Sequence, residues 1–175
     1  MQQFSELNLC PSLLNNLAKN EFVTPTPVQA QAIPPIMEGR DVVATAQTGT
    51  GKTLAFSIPI LEALAALPRT KTVKVLILSP TRELAMQVSE AMHKYGRRLG
   101  ARVLPVYGGQ PIYRQIKELQ RGVDVVVATP GRARDHVARG TLSLDEVAVV
   151  VLDEADEMLD MGFAEDIETI LEATP

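Results

Sequence analysis

Two short runs hold residues whose types and spacing can do chemistry. The first is Val42-Val43-Ala44-Thr45-Ala46-Gln47-Thr48-Gly49-Thr50-Gly51-Lys52-Thr53, and in the second Val149-Val150-Val151-Leu152 leads into Asp153-Glu154-Ala155-Asp156. Backbone N–H groups of a glycine-rich loop can point at phosphate oxygens, while Lys52 offsets their charge and the Thr53 hydroxyl can ligate magnesium. A carboxylate at a strand end, Asp153, offers the hard oxygen that magnesium accepts while keeping several waters. Each run supplies what the other lacks, and together they describe a nucleoside-triphosphate site. The loop departs from G-x-x-x-x-G-K-[ST] only at its first position, where Ala46 replaces Gly. A plain glycine-rich turn with a surface lysine is the alternative. The context favours the phosphate loop: a short apolar strand is expected after Glu38-Gly39-Arg40, and an apolar helix from Leu54 to Leu67. Pro59 should kink or interrupt that helix, because the Ala55 carbonyl loses its partner.

Positioning such groups takes a sheet whose strand ends share one edge, and the chain has the materials for one. Its 175 residues are 46% hydrophobic but only 4% aromatic, without tryptophan, so the core must be aliphatic. Aliphatic runs suit parallel strands buried on both faces. Strands are expected at residues 73–78, 103–107, 123–128 and 147–152. Between them, Leu84, Val88, Met92, Tyr95 and Leu99 recur at helical spacing, as do Ile112, Ile116 and Leu119. A short helix over 133–138 and a helical stretch reaching Leu171 complete the pattern. Such alternation implies an α/β fold, a three-layer parallel sheet with helices on both faces. Upstream, Leu13, Leu14 and Leu17 suggest a turn or two of amphipathic helix. Thr26-Pro27 reads as an N-cap followed by proline at the first helical position, before residues 28–33.

Composition also limits function. The single Cys10 excludes an internal disulfide and fits a reducing, cytoplasmic compartment. No apolar stretch approaches the ~20 residues that span a bilayer, and the first ten residues lack the features of a signal peptide. With a net charge of -4, the chain cannot hold nucleic acid by bulk positive charge, so any such contact must be local and sparse. No sequence feature specifies an oligomeric state. His93 and His136 fall on expected helices, where partial exposure rather than catalysis is expected.

Further clusters sit at the expected strand ends: Pro80-Thr81-Arg82-Glu83-Leu84-Ala85, Gly108-Gly109 and Thr129-Pro130-Gly131-Arg132. In an open parallel sheet, ligands bind beyond the carboxyl ends of the strands, and arginines there can grip phosphate with two N–H groups. Each cluster alone has a plain reading as a strand terminator, a turn or a solvated helix start. Asp160, Glu165, Asp166 and Glu168 read as a solvated acidic surface, and Glu154 and Asp156 could be read the same way.

In order, these strings resemble the DEAD-box ATP-dependent RNA helicases, whose name is the tetrad Asp153-Glu154-Ala155-Asp156 in one-letter code. Pro80 to Ala85 and Thr129 to Arg132 match that family's RNA-backbone motifs, and Gly108-Gly109 matches its glycine pair. Phe22-Val23-Thr24-Pro25-Thr26-Pro27-Val28-Gln29, with Phe4 upstream, is similar to its glutamine motif. One departure is Glu21, where the family often has Gly. The resemblance implies a RecA-like P-loop domain that uses ATP and Mg2+. Gln29 would hydrogen-bond the adenine edge and Phe22 would pack on the ring. Ala46, Gln47, Thr48, Gly49, Thr50, Gly51, Lys52 and Thr53 would cradle the phosphates, with Thr53 and Asp153 holding magnesium. Glu154 would orient or deprotonate the attacking water, and Asp156 would couple to a later Ser-Ala-Thr motif. Thr81, Arg82, Gly109, Thr129, Gly131 and Arg132 would contact the RNA sugar-phosphate backbone.

One domain is expected over residues 1–175, with a glutamine-motif segment at 1–30 and a P-loop core at 31–175. The resemblance places the Ser-Ala-Thr strand and a second RecA-like domain, which completes the ATP site and the RNA groove, after this chain. It also puts that strand between the phosphate-loop strand and the carboxylate strand, so the sheet should show a gap there unless something fills it or the family's strand order does not hold. Glu172-Ala173-Thr174 imitates the motif in letters only, at the end of a helical stretch. Two other functions stay open on the residues alone: another P-loop ATPase acting on DNA or protein, and a non-enzymatic nucleotide-binding module. Phe22 to Gln29 and Thr129 to Arg132 argue against the first, and Lys52 with Glu154 against the second.

Overall fold

A computed structural model describes residues 2–47 and 49–175. The chain forms two compact units, one from Met1–Leu67 with Lys94–Ala101, the other from Pro68–His93 with Arg102–Pro175.

The first unit is helical. Helix α1 (Pro11–Lys19) buries Leu13 and Leu17. It closes by the hydrogen bonds of a Schellman turn, from Phe22 N–H to Leu17 C=O at 2.9 Å and from Glu21 N–H to Ala18 C=O at 3.0 Å. That turn requires a left-handed residue after the C-cap, and Glu21 supplies it at φ 63°. Glycine would adopt this conformation without the Cβ clash that Glu21 accepts. The turn delivers Phe22 edge-on to Tyr95, with ring centroids 5.7 Å apart. The Asn16 amide donates to the carbonyls of Lys94 and Tyr95, both at 3.0 Å, and so fastens α1 to that segment. Helix α2 (Pro27–Met37) starts as its Thr-Pro signal predicts and runs through Pro34 and Pro35. It packs on α3 (Lys52–Ala66), which passes Pro59 without interruption.

The second unit holds the sheet. Strands β1 (Val75–Leu78), β2 (Val103–Val106), β3 (Val125–Ala128) and β4 (Val149–Leu152) are all parallel, in the order β2-β3-β1-β4. Leu76 and Leu78 with Val126 and Ala128 form one buried face, packed with Ala133, Met158, Ile167 and Ile170. Val75, Ile77, Val125 and Val127, on the opposite face, are buried as well. Burial on both faces explains why these strands read as continuous apolar runs. The helices are α4 (Arg82–Gly96), which continues into the first unit, α5 (Ile112–Arg121), α6 (Pro130–Arg139), α7 (Ala155–Asp160) and α8 (Ala164–Glu172). At the amino ends of β2 and β3, Arg102 grips Asp124 through Nε–Oδ2 (3.1 Å) and Nη2–Oδ1 (2.8 Å) and also donates to the Thr70 carbonyl. Burial pushes the Asp124 carboxyl up, but the Arg102 hydrogen bonds and charge outweigh it and hold it below the usual range.

The structure corrects several expectations. Residues 41–47 form no strand: none of them joins a ladder, and Val42 and Val43 are exposed. A strand needs a hydrogen-bonded neighbour, and β4 pairs only with β1 among the described residues. Among the described residues β4 is therefore an edge strand of the sheet. The helical stretch to Leu171 is two helices, parted at Met161-Gly162-Phe163. Asp166 is not merely solvated, because it pairs with Arg134 at 2.7 Å. Glu172-Ala173-Thr174 does close a helix, with the Thr174 hydroxyl on the Leu171 carbonyl at 2.6 Å. No helix among the described residues is long and apolar enough to cross a membrane.

Glu21→Gly should raise the unfolding free energy by about 0.5–1 kcal/mol, as relief of left-handed strain outweighs the added freedom of the unfolded chain. Chemical denaturation of both proteins measures this, and an unchanged or lower midpoint would contradict the strain assigned to Glu21.

Candidate functional site

The candidate residues fall in both units. In the helical unit, Gly51 is the N-cap of α3 at φ 90°, a left-handed conformation that side chains rarely adopt. A Cβ added there would stand 2.4 Å from Gln29 Nε2 and 2.9 Å from Thr26 Oγ1, so only glycine fits. The approach is close because Gln29 Nε2 donates to the Gly51 carbonyl at 3.1 Å, while Gln29 Oε1 accepts from Thr26 N–H at 2.9 Å. Gln29 is thus buried and ties the start of α2 to the phosphate loop. One Nε2 hydrogen and one Oε1 lone pair remain beyond these two bonds. Within the loop, the Thr50 hydroxyl donates to the Gln47 carbonyl at 2.5 Å. Ala46, Lys52 and Thr53 are half-buried and Gln47 and Gly49 exposed, as suits groups serving a ligand rather than a core; Thr48 lies outside the described residues. Phe22 is half-buried against Tyr95. Cys10 caps α1, its N–H donating to Glu62 Oε2 at 2.9 Å. Burial pushes its thiol up, which makes it a poor nucleophile.

In the sheet unit, the turns after β1, β2, β3 and β4 all leave the carboxyl ends of parallel strands. After β4, Asp153 and Glu154 are half-buried and Asp156 is exposed. Glu154 is left-handed at φ 53°, ψ 51°, a conformation costing roughly 1–2 kcal/mol outside glycine. Strain of this kind at a strand end is characteristic of positions that aim a functional side chain. After β1, Arg82 is exposed, with its guanidinium 5.2 Å from the centre of the Tyr107 ring. The Thr81 hydroxyl accepts from Leu84 N–H at 3.2 Å and so caps the first turn of α4. Thr129 occupies the N-cap position of α6, which begins Pro130-Gly131-Arg132.

Two glycines here have no folding reason to be glycine. Neither Gly108 nor Gly131 has a positive φ, and a Cβ on either would meet nothing within 4 Å beyond its own chain neighbours and helix. Gly109 differs, at φ 86°, and a Cβ there would lie 4.0 Å from Arg82 Nη1. Arg132 Nη1 donates to the Gln110 carbonyl and to Gln115 Oε1, both at 3.1 Å.

The magnesium ligands expected from the sequence are a hydroxyl and a carboxylate, Thr53 and Asp153. Among the described residues, no three His, Cys, Asp or Glu side chains gather to hold a metal. Such a sparse oxygen set, with no histidine or thiolate, fits magnesium rather than zinc or a cluster.

A family model described as DEAD/DEAH box helicase matches residues 26–175. The chain belongs to this family. It is 51% identical, over its whole length, to the DEAD-box ATP-dependent RNA helicase CshA of Geobacillus kaustophilus, of which it covers 37%. It is 48% identical over 172 residues to the protein of the same name from Bacillus subtilis, covering 34% of it. The crystal structure of a DEAD box protein from Methanococcus jannaschii superposes with a TM-score of 0.94 at 42% identity, over all of this chain and 47% of that one. The chain therefore spans about a third of the length of the curated relatives it matches. The fold is the α/β, RecA-like one expected, and Glu21 adopts the conformation in which the family's glycine would be unstrained.

Sequence reasoning missed His136. Expected to be partly exposed, it is fully buried, with Nε2 2.8 Å from Gln115 Oε1 and Nδ1 2.8 Å from Thr141 Oγ1. Gln115, which the sequence did not single out, is buried and donates from Nε2 to the Tyr107 carbonyl at 3.0 Å. The helical spacing of Arg132 and His136 is the only signal that could have found them. Burial, and then the charge of Arg132, lower the His136 pKa; Asp135 opposes this and Arg139 adds to it.

Because the native state holds His136 neutral, the unfolded chain binds the extra proton first as pH falls. Its stabilising contribution is complete above the unfolded value of about 6.5 and declines below it toward the depressed native value. Thermal unfolding between about pH 7 and pH 5 should therefore show a steeper loss of stability in the parent than in His136→Asn. Parallel profiles for the two proteins would show that His136 does not carry this linkage.

Proposed function

We propose that this chain is the ATP-binding part of an RNA helicase that couples Mg-ATP binding and hydrolysis to the separation or remodelling of RNA duplexes. Support comes from family membership, from two relatives named as ATP-dependent RNA helicases, and above all from one observation. Gly131, which the fold does not need, lies in the same turn as the half-buried Arg132, and Gly108, equally dispensable, follows Tyr107, whose ring lies under the exposed Arg82 guanidinium. Space kept clear of side chains beside guanidinium groups suits a sugar-phosphate backbone passing at close range. Thr81, Arg82, Gly109, Thr129, Gly131 and Arg132 are the proposed contacts. They are few, as an acidic chain requires.

For the nucleotide, the loop from Ala46 to Thr53 cradles the phosphates and Lys52 opposes their charge. The remaining N–H and lone pair of Gln29 read the adenine edge, and Phe22 packs on the ring. Thr53 and Asp153 would hold magnesium, which when bound supplies charge neutralisation at the phosphates. Glu154 orients the water whose oxygen bonds to the γ-phosphorus as the bond to ADP breaks, and it takes up the water's proton. Phosphoryl transfer asks for little beyond this positioning and charge stabilisation. Asp156 couples the site to a Ser-Ala-Thr motif elsewhere in the complete protein. A second RecA-like domain contributes the arginines that complete the site, worth ~10³–10⁵ in rate for comparable enzymes. The chain alone should bind adenine nucleotide with little turnover. A cytoplasmic location goes with this reading.

In the complete protein, Glu154→Gln should bind Mg-ATP near the parent affinity and lose RNA-stimulated hydrolysis by about 10²-fold or more. Retained turnover would move water activation to another group.

Gly131→Ala should separate folding from RNA binding. Alanine is favoured over glycine in a helix by up to about 1 kcal/mol, so the unfolding midpoint should rise. RNA affinity should fall, because the methyl group enters the space proposed for the backbone. A Gly131→Ala protein that is more stable and binds RNA unchanged would mean that RNA does not pass there.

A further inference from the structure

Three of the proposed RNA-contact turns are joined by one network of polar and cation–π contacts whose centre is buried. Gln115, on α5, is its centre. Its Nε2 donates to the carbonyl of Tyr107, the residue after β2. Its Oε1 lies 3.1 Å from Arg132 Nη1 and 2.8 Å from His136 Nε2, both on α6. The amide orientation is fixed by chemistry, since only Nε2 can donate to a carbonyl and only Oε1 can accept from a guanidinium. His136 Nε2 must then carry a ring proton, while Nδ1 lies 2.8 Å from the Thr141 hydroxyl, which also lies 3.1 Å from the His136 carbonyl; in the neutral ring Nδ1 accepts that hydroxyl's single proton. A neutral imidazole is what burial beside Arg132 favours. Two further contacts widen the network: Gln110 Nε2 donates to the Tyr107 hydroxyl at 2.9 Å, and Arg82 lies over the Tyr107 ring.

The consequence for Arg132 is specific. A guanidinium has five N–H groups, and the two on Nη1 are engaged by the Gln110 carbonyl and Gln115 Oε1, which leaves three on Nε and Nη2. Those three form the side that can grip a phosphate with two parallel hydrogen bonds. We propose that Gln115, supported by His136, is a positioning residue that locks Arg132 against the turn after β2 and so presents its Nε–Nη2 side to the RNA backbone. The proposal rests on the reading of Arg132 as an RNA contact. An arginine held in this way has already given up rotamer freedom in the folded protein, so binding costs it less.

The test is equilibrium binding of a short fluorescein-labelled oligouridylate to the complete protein, with magnesium and a non-hydrolysable ATP analogue, over a range of salt. Arg132→Ala should weaken binding about tenfold and make the log–log salt slope shallower by about 0.7, as for one lost phosphate contact on a single strand. Gln115→Met should do nearly the same, with nucleotide affinity unchanged. Added to Arg132→Ala, Gln115→Met should cost less than about twofold more, because its effect runs through the arginine. If Gln115→Met fails to fold, Gln115→Asn carries the same expectation, since its shorter amide cannot span Tyr107 and Arg132. An Arg132→Ala protein with parent affinity would overturn the RNA reading of Arg132, and the proposal with it. With Arg132→Ala impaired, parent-like affinity and slope in the Gln115 variant would overturn the positioning role alone. So would an equal loss on adding the Gln115 change to either background, which marks a general structural defect.

Discussion

Strand β1 is bonded in parallel to β3 on one side and β4 on the other, in a single register from Val75 to Leu78. Everything proposed for the sheet unit depends on that pairing. Parallel ladders send every strand out at the same edge, so the turns beginning at Ser79, Tyr107, Thr129 and Asp153 are neighbours despite their distance in sequence. The ladders themselves extend into those turns: Ser79 N–H donates to Ala128 C=O, Thr129 N–H to Val106 C=O and Asp153 N–H to Leu78 C=O. Aliphatic burial on both faces stabilises the register, since a slip would misalign the buried rows. Chemistry at the edge thus inherits its precision from side chains that never touch a ligand.

Against this rigid frame, two residues depart from the local rules. Glu21 and Glu154 are the non-glycine residues with positive φ among those described. They differ in what holds them. Glu21 is pinned by the Schellman hydrogen bonds and delivers Phe22, and its side chain has no evident need of that conformation. Glu154 sits where β4 gives way to α7, between the two carboxylates Asp153 and Asp156. There the left-handed turn redirects the chain and its carboxylate together. One cost is therefore incidental to a turn, and the other falls on the side chain proposed for water activation.

Much of this was legible in the sequence, for physical reasons. The strands could be read because buried parallel strands need uninterrupted aliphatic runs, and β1 to β4 lie inside the runs at 73–78, 103–107, 123–128 and 147–152. The α2 start could be read because Thr26-Pro27 is a local signal that needs no tertiary information. Residues 41–47 could not, since Val42 and Val43 have strand propensity but a strand exists only when another backbone pairs with it. Nor could the Gln115–His136 pair, because a buried amide and imidazole look like surface residues until the fold shows what surrounds them. The engagement of both ends of Gln29 was hidden likewise, as it depends on how closely α2 approaches Gly51.

An acidic chain that binds a polyanion must rely on the placement of a few cations. Arg82 and Arg132 are each held by the turn after β2, the first through the Tyr107 ring and the second through the Gln110 carbonyl and the Gln115 amide. The two guanidinium groups therefore share one support, although they lie on α4 and α6. A neutral His136 matters in this setting. A charged imidazole 2.8 Å from Gln115 Oε1 would add a second positive charge beside Arg132 in a buried place, at a cost that neutrality avoids. The same polar atoms therefore satisfy the core and aim the arginine. On the proposed reading these groups would meet phosphate and sugar rather than base edges, so their grip would be on the strand and not on its sequence.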